Sequence, residues 1–472
     1  MKDINQSIPI AVLTGIILSA ASIVLLLQPV PWLALLPPLL LPALLLLGRY
    51  PEYGYYLMVV LIPMNAWQGL LDKYQFLTIS KLVGIFILFA VLYKIITGQE
   101  MFSRIKTNMW YPLGGFFLIS VISTLYSNYY LSCIDDLRKI ITAFLFFALT
   151  IFFIREKQLN KTLPILLITS TSFSAFIAVV GKIFKIDALF IAMNAETTTQ
   201  RAIGTANDPN FYAAMILVSL PLIAHFFFYT TSTRDRIVFL ILFIHNCYAV
   251  ILTYSRAVML VLCFTLTLIL IEHFKRIRLN YLGFLIIIVG ILGSIAVSKM
   301  PEMTIWERMM TLMTPQADLS LTRRASYIQV AKEAVVYDPL IGSGPGTFPF
   351  VYMNSRYAAA LATNESGFAR AAHNTYLEVL VGTGFIGFTL FLTAFFFGIQ
   401  NFFKTQKCLK NITKYYEASY VRAMTYSFLS LSFSFLFLSG VYRKYLWLFL
   451  GLSVVVAHLY NTNGGGPIED NC

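Results

Sequence analysis

Apolar runs long enough to cross a lipid bilayer recur along most of the chain, and no other feature restricts its fold so tightly. A helix needs about 20 such residues to span the roughly 30 Å hydrocarbon layer. Within that layer every backbone N–H and C=O must be satisfied by the protein itself, which leaves helical bundles and closed barrels. The runs here are long and do not alternate as barrel strands do, so an all-α polytopic membrane protein is predicted. Composition agrees, since 58% of the 472 residues are hydrophobic and only 12% charged, against roughly 25% charged in soluble domains. The predicted spans are 8–27, 32–48, 55–71, 79–97, 110–126, 138–154, 163–183, 209–229, 236–254, 257–272, 281–297, 374–401, 421–438 and 443–460. Pro37, Pro38 and Pro42 weaken the second, so the expected count is about 12–14. The first run has no small-residue cleavage site and is followed at once by another, which reads as a retained span.

The formal net charge is +13. In a chain this apolar the excess has a topological explanation before a nucleic-acid one, because Lys and Arg gather in cytoplasmic loops. Alternate connections carry the basic groups: Lys94, Arg104 and Lys106; Arg155, Lys157 and Lys161; Arg234 and Arg236; Lys275, Arg276 and Arg278; Lys404, Lys407, Lys410 and Lys414. All fall on one side if both termini are cytoplasmic. The opposite, periplasmic side then receives the 184–208 connection, the tight turn at Tyr254-Ser255-Arg256, and one long polar segment.

That segment divides the chain: a transmembrane bundle over 1–297, an extracytoplasmic loop over 298–373, further transmembrane helices over 374–460, and a flexible tail over 461–472. Within the loop, Asp318 or Ser320 is placed to cap a helix running to about Val336 and ended by Asp338-Pro339. Gly342-Ser-Gly344-Pro-Gly346 is a turn-rich break, and without a following Lys-Ser/Thr it is not a phosphate loop. Tyr352, Asn354, Tyr357, Asn364 and Ser366 mix aromatic faces with hydrogen-bonding groups, a composition that suits sugar without specifying it.

Several cations fall on the outer side, where short loops disfavour them. Arg201 leads through Gly204 and Asp208 to Asn210 at the start of a span, Arg256 opens another, and Arg323, Arg324 and Arg356 lie in the long loop. A lone boundary arginine can lay its stem on apolar surface with its head in water. Arg256, in a turn of two or three residues and on the same face as Arg201 and Arg323 or Arg324, points instead to an anion site. Guanidinium forks match phosphate oxygens in pairs, so such a cluster suits a diphosphate. Of five histidines only His373 lies on this side, and imidazole is the natural general base for a hydroxyl near neutral pH. The alternative for His373 is a helix-cap role. Glu378, about a turn and a half beyond, is placed to orient a partner, contact substrate or join a buried ion pair. The cysteines show no CxxC spacing, and no cluster of carboxylates or histidines suggests a metal or other cofactor.

Four pieces, taken in order, resemble the bacterial O-antigen ligase and polysaccharide polymerase superfamily. They are Gly204-Thr-Ala-Asn-Asp-Pro-Asn210 before a span, Thr253-Tyr-Ser-Arg256-Ala at a span start, Arg324 ahead of Asp338-Pro-Leu-Ile-Gly342-Ser-Gly344-Pro-Gly346-Thr-Phe348, and His373-Asn374 followed by Gly384-Phe-Ile-Gly387. Together they cover residues 201 to 387. The resemblance implies a GT-C-like glycosyltransferase of the bacterial inner membrane, working at the periplasmic face in lipopolysaccharide or exopolysaccharide biosynthesis without a metal. Its donor would be an oligosaccharide on undecaprenyl diphosphate, and its acceptor a glycan or lipid A–core. By the same resemblance Arg256 and Arg323 or Arg324, with Arg201, would hold the diphosphate and His373 would activate the acceptor hydroxyl. Asn210, Asn374, Glu378, Tyr352 and Arg356 would support the site or contact substrate. A branch that glycosylates protein shares the pattern. From a different class, a lipid-linked oligosaccharide flippase would call for ionisable residues in mid-span and paired broken helices.

Overall fold

A computed structural model describes residues 46–68, 78–98, 106–192, 200–274, 319–361 and 368–461. The spans expected at 8–27 and 281–297, most of that at 32–48, Asp318 and the tail lie outside the described residues. The chain forms two units, one of Met1–Met58 with Leu77–Phe102 and one of the remainder. In the first, helix α1 (Pro51–Val60) and helix α2 (Ile79–Ile96) meet where Gly54 leaves room for the Ile87 side chain. Thr78 caps α2 by accepting from the Lys81 N–H. The span expected at 55–71 is therefore a shorter α-helix, followed by a 3-10 turn over Ile62–Gln68.

The second unit is helical: α3 (Trp110–Tyr126), α4 (Tyr130–Phe153), α5 (Leu163–Phe184), α6 (Pro209–Leu217), α7 (Leu220–Tyr229), α8 (Thr233–Ile251), α9 (Arg256–His273), α10 (Leu319–Tyr337), α11 (Phe348–Met353), α12 (Arg356–Leu361), α13 (Thr375–Asn411), α14 (Tyr415–Ser434) and α15 (Lys444–Asn461). Five helical stretches among the described residues, Ile79–Ile96, Gln158–Phe184, Pro209–Tyr229, Arg256–His273 and Thr375–Asn411, are long and apolar enough to cross a membrane, and two shorter apolar helices accompany them. The protein is an all-α polytopic membrane protein. It departs from the predicted spans where local chemistry intervenes. The 209–229 run breaks between α6 and α7, because Pro221 in the first turn of α7 has no N–H to continue the ladder. The final hairpin is shifted, with α14 starting at Tyr415 and ending at Ser434, so that residues 435–443 form a non-helical turn. A two-stranded antiparallel pair, Phe190–Ala192 with Gln200–Ala202, occurs in the 184–208 connection and was not foreseen.

Cross-helix contacts fix which ends of the helices lie together. On α9 and α14, Thr265 hydrogen-bonds Ser430 at 2.8 Å, Phe264 packs on Phe433, and Arg422 pairs with Glu272. On α7 and α14, Ser427 Oγ donates to the Val218 carbonyl and His225 meets Ser419. The Thr375 N–H opening α13 donates to the Phe435 carbonyl, and Tyr460 at the end of α15 reaches Asn160. Helices α6, α9, α13 and α15 thus all begin at one end of the bundle. The other end collects basic connections: Lys106 and Lys404 line one cavity with His458, and Arg155 lines a second with the same histidine.

The long loop docks at the first end through an interlock of backbone. Helix α13 is not continuous, because Gly384 adopts φ +62° and splits it. Into that break runs the turn segment Pro339–Gly344. Phe385 N–H donates to Pro339 O, while Ser343 N–H and Gly344 N–H donate to Val381 O and Gly382 O at 2.9 Å. Ser127 Oγ donates to Ser343 O at 2.6 Å and Ser123 Oγ to Ile341 O, so α3 grips the same segment from behind. A Cβ on Gly342 would lie 2.5 Å from Gly384 N, and one on Gly384 would collide with Leu340. Above the interlock, Tyr327, Val330 and Ala331 of α10, Phe348 and Tyr352 of α11, Ala358 of α12, Ala372 and Val381 form a small core. Gly384→Ala or Gly342→Ala should each cost about 1–3 kcal/mol of stability, a left-handed backbone strained by a side chain. Gly114→Ala, with no atom within 4 Å of its Cβ, should not lower stability. Thermal unfolding of the detergent-purified variants checks both.

Candidate active site

Three of the helices that start at the docking end are capped by their own side chains. Asp208 Oδ1 accepts from Phe211 N at 2.7 Å, Ser255 Oγ from Val258 N at 3.3 Å, and Asn374 Oδ1 from Leu377 N at 3.1 Å. Each helix N-terminus carries about half a positive charge. Several N-termini at one end raise the local potential and suit an anion. The residue before two of these caps is left-handed: Tyr254 at φ +47° precedes Ser255, and His373 at φ +48° precedes Asn374. Such strain of about 1–2 kcal/mol is held in place by surrounding contacts.

His373 is solvent-accessible although protein surrounds it on most sides. Desolvation by those walls pushes its pKa below the ordinary imidazole value. Asp208 opposes this, and Arg324 and Arg370 reinforce it. The imidazole is therefore neutral at pH 7, the form that accepts a proton. Its turn is clamped by Glu378, whose Oε1 accepts from Ala372 N at 2.9 Å and from Ser439 Oγ at 2.6 Å. This ties α13 to the 435–443 turn. From that turn Arg443 lays its guanidinium over the Phe211 ring, 3.6 Å from the centroid, within electrostatic reach of Asp208 and Glu378.

The arginines expected to gather from the sequence occupy distinct places. Arg324 sits over the Phe437 ring at 5.7 Å, within electrostatic reach of His373. Its neighbour Arg323 turns away and donates twice, from Nε and Nη2, to the Leu361 carbonyl, holding α12 to α10. Arg201 braces two motifs, donating from Nε to Thr253 O at 2.9 Å and from Nη2 to Asn210 Oδ1 at 2.8 Å. Arg256, three residues beyond Thr253 and half-buried, is on the first turn of α9 at the same end as His373. Asn374 is the α13 cap, and Tyr352 is 1% exposed in the loop core with its hydroxyl 3.3 Å from Ser326. Arg356 is a surface residue, 75% exposed, paired with Glu333 at 3.1 Å and with the Tyr357 hydroxyl. Among the described residues no group of three or more His, Cys, Asp or Glu is arranged to hold a metal ion.

Arg370, Asp208 and Arg443 were not singled out as site residues from the sequence. Asp208 reads as an N-cap before Pro209 and Arg443 as one more cation at a span boundary. The only available signal was their position at the disfavoured end. Glu378→Ala removes the acceptor for the buried Ala372 N–H and should cost about 1–3 kcal/mol. Glu378→Gln keeps an oxygen there and should cost less, which thermal unfolding would measure.

Residues 237–392 match the Wzy_C family, described as O-antigen ligase. No curated protein matches the chain significantly. The matched stretch runs from within α8 into α13 past its kink, and contains Arg256, Arg324, Arg370, His373 and Glu378. Arg201, Asp208 and Arg443 lie outside it. Over residues 237–392, about a third of its length, the chain is similar to the O-antigen ligase family.

Proposed function

We propose that the protein is an integral-membrane glycosyltransferase that moves an oligosaccharide from undecaprenyl diphosphate to a glycan or lipid A–core hydroxyl, as a polysaccharide polymerase or O-antigen ligase. The basic end of the bundle faces the cytoplasm and the His373 end the periplasm, following the charge bias of membrane loops. The observation that carries the reading is the placement of His373 at the start of α13, partly exposed and within electrostatic reach of Arg324, Arg370 and Asp208. The helix N-termini at the same end add positive potential. Guanidinium groups and helix termini neutralise the donor diphosphate, so the leaving group needs no metal. His373 takes the proton of the acceptor hydroxyl as its oxygen bonds to the anomeric carbon. The carbon–oxygen bond to the diphosphate breaks, and the lipid diphosphate departs with the electron pair, inverting the anomeric carbon. Arg324 is the loop arginine that serves the site and Arg323 a structural one, while Arg256 and Arg201 hold the diphosphate rim.

Purified protein incubated with lipid-linked repeats alone lengthens chains if it is a polymerase and needs a separate acceptor if it is a ligase. His373→Ala should lower transfer by about 10²–10⁴ fold, the usual worth of a general base, with the melting temperature unchanged. Wild-type rates from that variant would refute the role.

The depressed pKa also sets a pH signature. Transfer should fall on acidification as the imidazole is protonated. For kcat/KM, which reports the free enzyme, the acid limb should lie below the ordinary value near 6.5. A bound diphosphate adds negative charge beside Arg324 and Arg370, which favours imidazolium. The acid limb of kcat should therefore lie at higher pH than that of kcat/KM.

A further inference from the structure

Behind the His373 turn is a cavity of about 350 Å³ that His373 does not line. Its volume is at the lower end of the roughly 300–1,000 Å³ typical of small-molecule sites, room for a sugar ring or two and not a lipid chain. Its charged lining is Asp135, Asp136 and Lys139 of α4 with Glu378 of α13, and Phe350 and Tyr442 form aromatic walls. Lys139 Nζ is bonded to Asp135 at 2.8 Å and Asp136 at 2.6 Å, so its charge is already met. Among the described residues no arginine lines the cavity. The side chains grow less exposed inward, from 47% at Asp135 through 32% at Lys139 to 22% at Asp136, so the mouth opens at Asp135.

The two sites therefore differ in their charged groups. Arg324 and Arg370 bear on His373 together with Asp208, whereas this cavity presents three carboxyl groups against the Lys139 ammonium, with the Arg138 guanidinium paired to Asp135 at its mouth. A diphosphate or uronate entering it would meet like charge at short range in a partly desolvated space. Carboxylates accept hydrogen bonds from hydroxyl or ammonium groups, and aromatic walls receive the apolar faces of a sugar ring. The wall between the two sites is thin: Ala371 and Glu378 line the cavity, and Glu378 also bonds the Ala372 N–H beside His373. A glycan seated here brings its neighbouring sugar toward the imidazole.

We propose that this cavity is a glycan subsite that takes an uncharged or amino sugar and rejects uronic acids. The inference rests on the glycosyl-transfer reading of the His373 site. The sugar belongs either to the acceptor or to the donor's own oligosaccharide.

The test uses the full chain in detergent and, as probe, the oligosaccharide released by mild acid from the producing cell's lipid-linked repeat. Saturation-transfer NMR should detect binding of this material. After oxidation of its primary alcohols to carboxylates, binding should weaken at least tenfold. Ser132→Trp, which fills the cavity from α4, should abolish binding. Asp136→Asn should bring the oxidised and native forms closer together, a change in selectivity that a purely structural role would not produce. His373→Ala should bind as wild type does. In transfer assays Ser132→Trp should raise KM by at least tenfold for one substrate, the acceptor or the donor, and this identifies the source of the sugar. Equal binding of native and oxidised material, or full binding by correctly folded Ser132→Trp and Asp136→Asn, would overturn the subsite. Undiminished transfer by His373→Ala would overturn the reaction instead, leaving the binding result standing.

Discussion

The contact of Pro339–Gly344 with the break in α13 is the constraint on which the loop, the His373 turn and the cavity all depend. Backbone meets backbone there, with Gly342 and Gly384 each removing the side chain that would keep the other away. The break frees N–H and C=O groups that an unbroken helix would have satisfied, and the inserted segment takes them up. In a bilayer such irregular backbone survives only where protein covers it, and the serines of α3 with the small loop core supply the cover. The first turns of α13 consequently belong to two bodies at once. Leu377 and Val381 pack in the loop core, while Thr375 and Tyr376 bond the end of α14.

Charge at this end is arranged as a balance and not as a simple excess. Helix N-termini and Arg201, Arg256, Arg324, Arg370 and Arg443 supply the positive side, with Asp208 and Glu378 set against them. Asp208 caps α6 and also bears on His373 and Arg443, so one carboxylate stabilises a helix and moderates a field. Glu378 similarly fixes the backbone beside the imidazole while closing the acidic cavity. Desolvation lowers the basicity of His373, Asp208 works against it, and Arg324 and Arg370 add to it.

The membrane class and most of the described helices were legible because each rests on a local pattern: apolar run length and cap residues. The loop helix expected to end near Val336 ends at Tyr337. The kink in α13 was not legible, because Gly384 in an apolar run looks like any glycine in a span. Its conformation is imposed by Leu340, some forty residues earlier. Arg323 and Arg324 were inseparable in sequence because adjacent positions on a helix point about 100° apart, and only the packing of α12 shows which one turns inward. Arg443 was invisible for a related reason: its partner Phe211 comes from a helix more than two hundred residues earlier. Tyr352 carries the hydroxyl and ring of a sugar contact, yet its place in the loop core depends on Tyr327 and Phe348, which no local pattern pairs with it.

Beyond its kink, α13 continues from residue 385 to Asn411. At 1.5 Å per residue this is about 40 Å, longer than the roughly 30 Å hydrocarbon layer. Lys404, Lys407 and Lys410 lie in that surplus, the residue type that favours lipid headgroups. In a bilayer such lysines would act as a float line at one face, and the rigid rod above them would set how deep the His373 turn sits at the other. In the proposed reaction, the height at which a lipid-borne phosphate meets the imidazole would thus be gauged from the far leaflet.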